Sequence, residues 1–497
     1  MAATPTLLDR LIGQFSPGAG LRRMRERELL QRAYEAASPR DGWKPRRPGA
    51  SANADHLADA ATIRTKARNL VQNVPYIAGG LEKHVANVIG TGIVPRSLAT
   101  NADAIDALWS EWGRVADADG ERDIYGLMAT AETAMEQDGE VLVRLRNRRP
   151  EDGLPVPLQL QVLEIDWLDS SKNGTTNGGG TIIGGVEYDV LGRKTAYWLY
   201  PHHPGDPQAS LRGMLRQESK PVPAAAILHL FNPKRPGQGR GFSRLAPIIN
   251  AARDLRLYED AELHRKNLET RLGVIVSGDA EAYNNGLDPE EVKKTGNLGE
   301  LPSGGILQTT PGVNITTLEP KAAPGYVEYV KHHLHLIAAG MGITYEMLSG
   351  DMKEVNFSSA RVALLEYRRS VEHLQWLTLI PKLCEPIWRA FIEAAYLAGK
   401  VRSTDYRVDW STPKWDYVNP EQDVKAELAE ISGGLSSYSE KLRRRGYKPD
   451  LVFSELKKDL ERLQKDGTLS LLLALQAHAA ALAEPATAAS SKSSQVS

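Results

Sequence analysis

Residues Gly340–Arg369 read GMGITYEMLSGDMKEVNFSSARVALLEYRR, two amphipathic helical runs joined by a short polar loop that contains Gly350. Ahead of the loop, Val327, Val330, Leu334, Ile337 and Met341 recur at steps of three and four. Beyond it, Ala360, Leu364, Tyr367, Val371 and Leu374 do the same. That spacing gathers side chains on one helical face. The connecting segment, Leu348-Ser349-Gly350-Asp351-Met352-Lys353-Glu354-Val355-Asn356, carries both signs of charge and no apolar run. It offers no recognisable nucleophile–base pair, and Asp351 with Glu354 are too few carboxylates for a two-metal centre. A loop held between two long helices is presented rather than built for chemistry, which points to a mechanical part.

Working outward, a chain of 497 residues supports roughly two to four domains and a large core. Lys and Arg number 61 against 62 Asp and Glu, a net charge of −1. Tight DNA binding draws mainly on phosphate neutralisation by a basic surface, so this balance argues against a sequence-reading DNA binder. It does not argue against a channel through which DNA slides, where tight binding would act as a brake. The single cysteine, Cys384, excludes an internal disulfide framework and a cysteine-based zinc cage. Its apolar helical neighbours Leu383 and Ile387 make it a core residue. The start, MAATPTLLDRLIGQF, is too polar for a secretion signal, and no run approaches a membrane span. These features predict a soluble protein made in a reducing compartment, with no membrane partner.

The periodicity predicts a mixed α+β body. Residues 1–60 read as an arm, with the charged run Leu21–Ala37 and a Pro/Gly/Arg-rich stretch after it. Helices are expected over 59–88, 102–112 and 124–138, the last stopped by Gly139. The period then changes to two: strands are expected at 141–145, 158–163, 185–199 and 226–231, around the Gly/Asn/Thr-rich loop 173–180. A helix capped by Ser243, with Pro247 in its first turn, runs through Leu272 and buries Ile248, Ala252, Leu255 and Leu263. Five basic and five acidic residues over Ala251–Leu272 suit packing beside copies of itself through ion pairs, although a solvated face gives the same count. Short strands follow at 274–276, 305–308 and 313–317. The helix after the loop starts near Asn356 or Ser358, is interrupted around Pro381 and Pro386, and resumes to Gly399. Residues 419–465 form a charged helical region, and the terminal SSKSSQVS is low-complexity and expected to be disordered.

Other groups have plain readings. His332, His333 and His335 supply one pair at helical ligand spacing, and a polar helix face or subunit contact explains them better than a metal. His202-His203 lies in a Pro-rich loop and reads as surface. Gly237–Ser243 lacks the Lys-Ser/Thr of a P-loop and the GxGxxG spacing, so a tight turn feeding a helix accounts for it. No Walker motor and no GxSxG motif is present, and neither catalytic residues nor a cofactor is expected.

The quoted stretch, together with Phe231-Asn232-Pro233-Lys234-Arg235-Pro236-Gly237-Gln238-Gly239-Arg240-Gly241, then Leu245-Ala246-Pro247 and Tyr258-Glu259-Asp260-Ala261-Glu262-Leu263, resembles the lambda-type portal proteins of tailed phages. Weaker similarity extends from about Ala60 to about Trp415. Phe357 stands where the family often has Tyr, and Thr344 where Pro is common. The resemblance implies a closed ring of about twelve subunits at one vertex of a capsid. It also implies a layout of N-terminal arm (1–60), wing (61–242 and 359–418), stem helices (243–272 and 324–343), a small β-rich clip (273–323), tunnel loop (344–358), crown (419–470) and tail (471–497). The DNA-facing loop residues would be Met347, Ser349, Asp351, Met352, Lys353, Glu354, Val355 and Asn356. Their formal charge of −1, from Lys353 against Asp351 and Glu354, repels phosphates enough to prevent sticking, while the methionines give compliant apolar contacts. Implied partners are double-stranded DNA without sequence preference, the terminase large subunit, the major capsid or scaffold protein, and head-completion proteins. The alternatives are a DNA-processing or nucleotide-binding enzyme, drawn from Gly237–Ser243 and the acidic loop, or another phage connector or minor capsid protein.

Overall fold

The computed structural model describes residues 49–206, 218–270, 273–278, 313–318, 325–353, 356–415, 420–445, 447 and 449–466, with Gln14, Thr468 and Ser470. Most of the predicted arm (1–48 apart from Gln14), the strand expected at 305–308 and the terminal tail lie outside them, while 52–60 of the arm belong to the first helix. Among the described residues no helix is long and apolar enough to cross a membrane.

The first helical stretch is broken once, into α1 (Ala52–Asn73) and α2 (Pro75–Ile89). Pro75 lacks an N–H and so opens a helix instead of continuing one. After β1 (Val94–Ser97) and α3 (Ala102–Gly113), helix α4 (Ile124–Asp138) begins at Asp123, whose carboxylate accepts the Gly126 N–H at 2.7 Å. It ends at Gly139 with φ +96°, a left-handed turn that favours glycine. The chain passes directly into β2 (Glu140–Asn147), which pairs antiparallel with β3 (Leu158–Glu164).

Strands β4 (Gly174–Thr175), β5 (Thr181–Ile183), β6 (Val186–Tyr188), β7 (Lys194–Leu199) and β8 (Lys220–Pro223) form an antiparallel sheet in chain order. The single strand expected over 185–199 is therefore a hairpin. Asp189 makes the turn, its carboxylate accepting the N–H groups of Leu191 at 2.9 Å and Arg193 at 2.8 Å. Strand β9 (Ile227–Phe231) completes a second sheet of order β3-β2-β9. Both faces of β2 are covered: Val141 and Val143 enter the main core, and Leu142 enters a smaller one with Leu163, Ile165, Val186 and Tyr197.

Helix α5 (Ile249–Thr270) leads to β10 (Gly273–Gly278), which pairs antiparallel with β11 (Val313–Leu318) before α6 (Tyr326–Met341). The start of α5 differs from expectation. Pro247 sits in a 3-10 turn, Ala246–Ile248, and the Ser243 hydroxyl accepts the nearby Leu245 N–H at 3.1 Å instead of capping the α-helix. Ile248, Ala252 and Leu255 are buried as expected, but Leu263 is 61% exposed.

Past α7 (Tyr345–Ser349) comes α8 (Phe357–Leu374). The predicted interruption does not occur. A π-helical segment, Gln375–Cys384, joins α8 to α9 (Glu385–Leu397) as one rod. Pro381 lies inside it, and the Glu385 N–H reaches back to Ile380 O, one residue further than in an α-helix. The wider turn accommodates the missing N–H and the ring, which would break an α-register. The rod buries Leu379, Leu383, Cys384, Trp388 and Phe391, so Cys384 is a core residue, its thiol pushed up by burial. Trp109, Trp112, Trp388 and Phe391 pack in tilted and edge-to-face pairs with ring centroids 5.0–5.7 Å apart. Strand β12 (Val408–Ser411) returns to pair with β1. Helices α10 (Pro420–Ser432), α11 (Tyr438–Arg444) and α12 (Pro449–Lys465) close the described chain. The architecture is α+β.

Candidate functional site

The polar segment between α6 and α8 is anchored at its root and open at its tip. Helix α6 stops at Gly342, φ +66°. Thr344 then caps α7, its hydroxyl accepting the Met347 N–H at 3.3 Å, so a residue other than proline starts this turn well. Leu348, expected in the loop, is buried on the last residues of a helical turn. It lies against Gly80 of α2, where a Cβ would sit 2.9 Å from the Leu348 side chain and 3.1 Å from that of Ile343. Lys83 Nζ, one turn further along α2, donates to Met347 O at 2.7 Å. Met347 and Ser349 are thus half-buried helical residues, and the exposed loop starts only at Gly350, φ +72°.

From there the backbone folds on itself. The Ser349 hydroxyl donates to Tyr345 O at 2.9 Å and accepts the Asp351 N–H at 3.1 Å. The Asp351 carboxylate accepts the Lys353 N–H at 3.1 Å, an Asx turn that shapes the tip. Met352 is 64% exposed, and Lys353 and Asn356 are exposed with it. Glu354 and Val355 lie outside the described residues. The histidines of α6 lie beside aromatic rings: His335 stacks on Tyr345 at 4.0 Å and His333 on Tyr329 at 4.1 Å.

Two buried polar clusters, neither foreseen from sequence, underlie this region and the neighbouring sheets. In the first, Glu140 is fully buried at the head of β2. Arg240 grips it with two hydrogen bonds of 2.6 and 2.7 Å, and the His229 ring (2.9 Å), the His56 ring (3.1 Å) and the Gly241 N–H (3.1 Å) complete the set. Burial by itself would raise the Glu140 carboxyl, but Arg240 and the two imidazoles hold it well below the usual range. Burial pushes His229 down to about 3, so it stays neutral, donating to Glu140 through Nε2 while Lys194 donates to its Nδ1 at 3.1 Å. Burial likewise lowers Lys194 to about 8. This explains Gly237–Ser243. The Arg240 side chain and Gly241 amide point inward at a carboxylate instead of cradling a ligand. Gly241 must be glycine because a Cβ there would collide with the Gly139 carbonyl. The legible signals were a lone Glu heading an apolar strand and an Arg set between glycines.

The second cluster lies at the root of the loop. Arg244 donates from Nε to Met341 O at 2.6 Å, at the end of α6, and faces both carboxylate oxygens of Glu136 at 3.3 Å. His84 of α2 meets the Tyr367 hydroxyl of α8 through Nδ1 at 3.1 Å. Elements α2, α4, α6 and α8 therefore converge beneath the loop.

A family model for phage portal proteins of the lambda family matches residues 38–375. The probable portal protein of Halomonas phage phiHAP-1 is 28% identical over 438 residues, spanning 84% of this chain and 83% of that one. Portal protein B of Escherichia phage lambda is 21% identical over 474 residues, spanning 84% and 87%. Among solved structures, a chain from the neck of a native gene transfer agent particle computed with C12 symmetry aligns at a TM-score of 0.46 and 14% identity, covering 79% of this chain and 94% of that one. With the family's pattern matched over most of its length, the chain belongs to the lambda family of phage portal proteins.

Proposed function

We propose that this portal protein closes into a ring of about twelve subunits at one capsid vertex, assembled in the host cytoplasm and carried in the virion. Its loop tip from Gly350 to Asn356 would face double-stranded DNA passing through the channel. The observation that carries this reading is the loop itself: a charged, methionine-bearing tip fixed by Leu348 on Gly80 and by Lys83, yet exposed at Met352. Such a part touches a moving polymer without binding it tightly. In this reading α5 and α6 are the stem, β10 and β11 the root of the clip, residues 61–242 and 359–418 the wing, and 419–470 the crown. Large apolar residues exposed on the stem, Leu257 and Leu263 on α5 and Val327 and Leu336 on α6, support a neighbouring copy on that face. The ring would nucleate procapsid assembly with the capsid or scaffold protein, dock the terminase large subunit at the clip, and later hold head-completion proteins. Its work is structural, the energy for DNA movement coming from the motor.

Mass photometry and negative-stain imaging of the purified protein with its assembly partners test this. The expected result is a holed ring near twelve times the 54.5 kDa chain. A small dimer with nuclease or nucleotide-hydrolysing activity would overturn it.

A further inference from the structure

We propose that His84, Glu132 and Glu136 form an internal binding site for a divalent transition-metal cation of the zinc class. One ligand atom from each of the three lies within 4.8 Å of the others, and all three residues are buried. Glu132 and Glu136 stand one turn apart on α4, and His84 comes from α2. His84 Nε2 and Glu136 Oε1 are 3.9 Å apart, a gap that a cation with two bonds of about 2.0–2.2 Å can bridge.

Two independent features point to a ligand. Glu132 is 0% exposed, and neither of its oxygens accepts a hydrogen bond among the described residues. His84 is 2% exposed, and its Nε2, facing the carboxylates, also lacks a hydrogen-bond partner there. A buried carboxylate left in this condition is strongly unfavourable. Arg244 offsets one of the two negative charges and leaves the other.

A shared proton could settle the two carboxylates but would leave the imidazole nitrogen bare. A cation settles all three. The surroundings suit one: in the tautomer whose Nδ1–H donates to the Tyr367 hydroxyl oxygen, that contact fixes the His84 ring and leaves the Nε2 lone pair facing the carboxylates. One imidazole with two carboxylates favours zinc and its first-row neighbours over calcium or magnesium, which prefer all-oxygen shells. The ion would tie α2 to α4, with Tyr367 and Arg244 extending the tie to α8 and α6.

The test uses full-length protein stripped with a chelator, equilibrated with Zn²⁺, desalted, and assayed for metal per chain by mass spectrometry. The wild type should retain about one zinc per chain, and Glu132→Gln, which keeps the shape of the side chain, should bind at least about tenfold more weakly. Co²⁺ added to the wild-type protein should give a visible band of low-symmetry nitrogen and oxygen coordination, a readout that stands even if the variant fails to fold. Equal zinc content in wild type and a folded Glu132→Gln, or no retained zinc and no cobalt band in the wild type, overturns the proposal. The carboxylates then share a proton.

Discussion

Arg240→Met should destabilise the folded chain by about 3–5 kcal/mol, because it leaves a buried carboxylate without its counter-charge. The site gives that carboxylate no escape to water: Glu140 is fully enclosed, and its remaining donors are two imidazoles and one backbone amide. Replacing both partners, with Glu140→Gln added to Arg240→Met, should recover part of the loss, since the uncompensated charge is gone. Chemical denaturation of the three proteins measures this, and an Arg240→Met loss below about 1 kcal/mol would mean that the pair is not buried as described. Acid provides a second reading. The Glu140 carboxyl is held well below its ordinary value of 4.5 in the folded chain. Its contribution is therefore complete above that ordinary value and is lost as pH falls through the depressed one. Glu140→Gln should lack this component of the acid sensitivity.

Reversing the loop charge should affect function as strongly as Arg240→Met affects folding. Asp351→Lys with Glu354→Lys changes the formal charge of the tip from −1 to +3, one lysine against two acids becoming three lysines. Repeated around the proposed ring of about twelve, this would place a dense positive collar along the proposed DNA path, where each phosphate contact adds a salt-dependent increment of binding. Rings should form normally, because Met352 and Lys353 at the tip are exposed and the anchors at Leu348 and Lys83 are untouched. DNA-filled heads should fall by at least about tenfold at low salt and recover partly at higher salt. Normal packaging and retention by the double variant would remove the loop from the DNA path.

Much of the fold was legible because local rules decided it. Gly139 stopped α4 at the expected residue, and the three-four spacing placed the buried faces of α6 and α8 through Leu334, Ile337, Met341, Tyr367 and Val371. Failures came where tertiary context overrode a local signal. Pro381 marks a break in isolation, but a rod buried along Leu379, Leu383 and Phe391 gains more by continuing in a π-register. Leu263 fits a helical stripe, yet it stays 61% exposed among the described residues. Leu348 looks like loop because its partner, Gly80, is remote in sequence. The pairing in both buried polar clusters was hidden for the same reason: Glu140 with Arg240 and His84 with Glu132 and Glu136 unite distant segments, and a lone Glu or Arg, even where it stands out locally, does not name its partner.

The most direct test of the proposed channel-lining role of the loop uses a single probe thiol. Met352→Cys places a reactive group on the exposed tip, while the native Cys384 is fully buried and its thiol is pushed up, so it does not compete. Maleimide labelling rates would be compared in tail-less heads with and without packaged DNA. Labelling should be at least about tenfold slower when DNA fills the channel, because the duplex, with its grooves and backbone, would occupy the space the tip is proposed to face. Equal rates in filled and empty heads would contradict it.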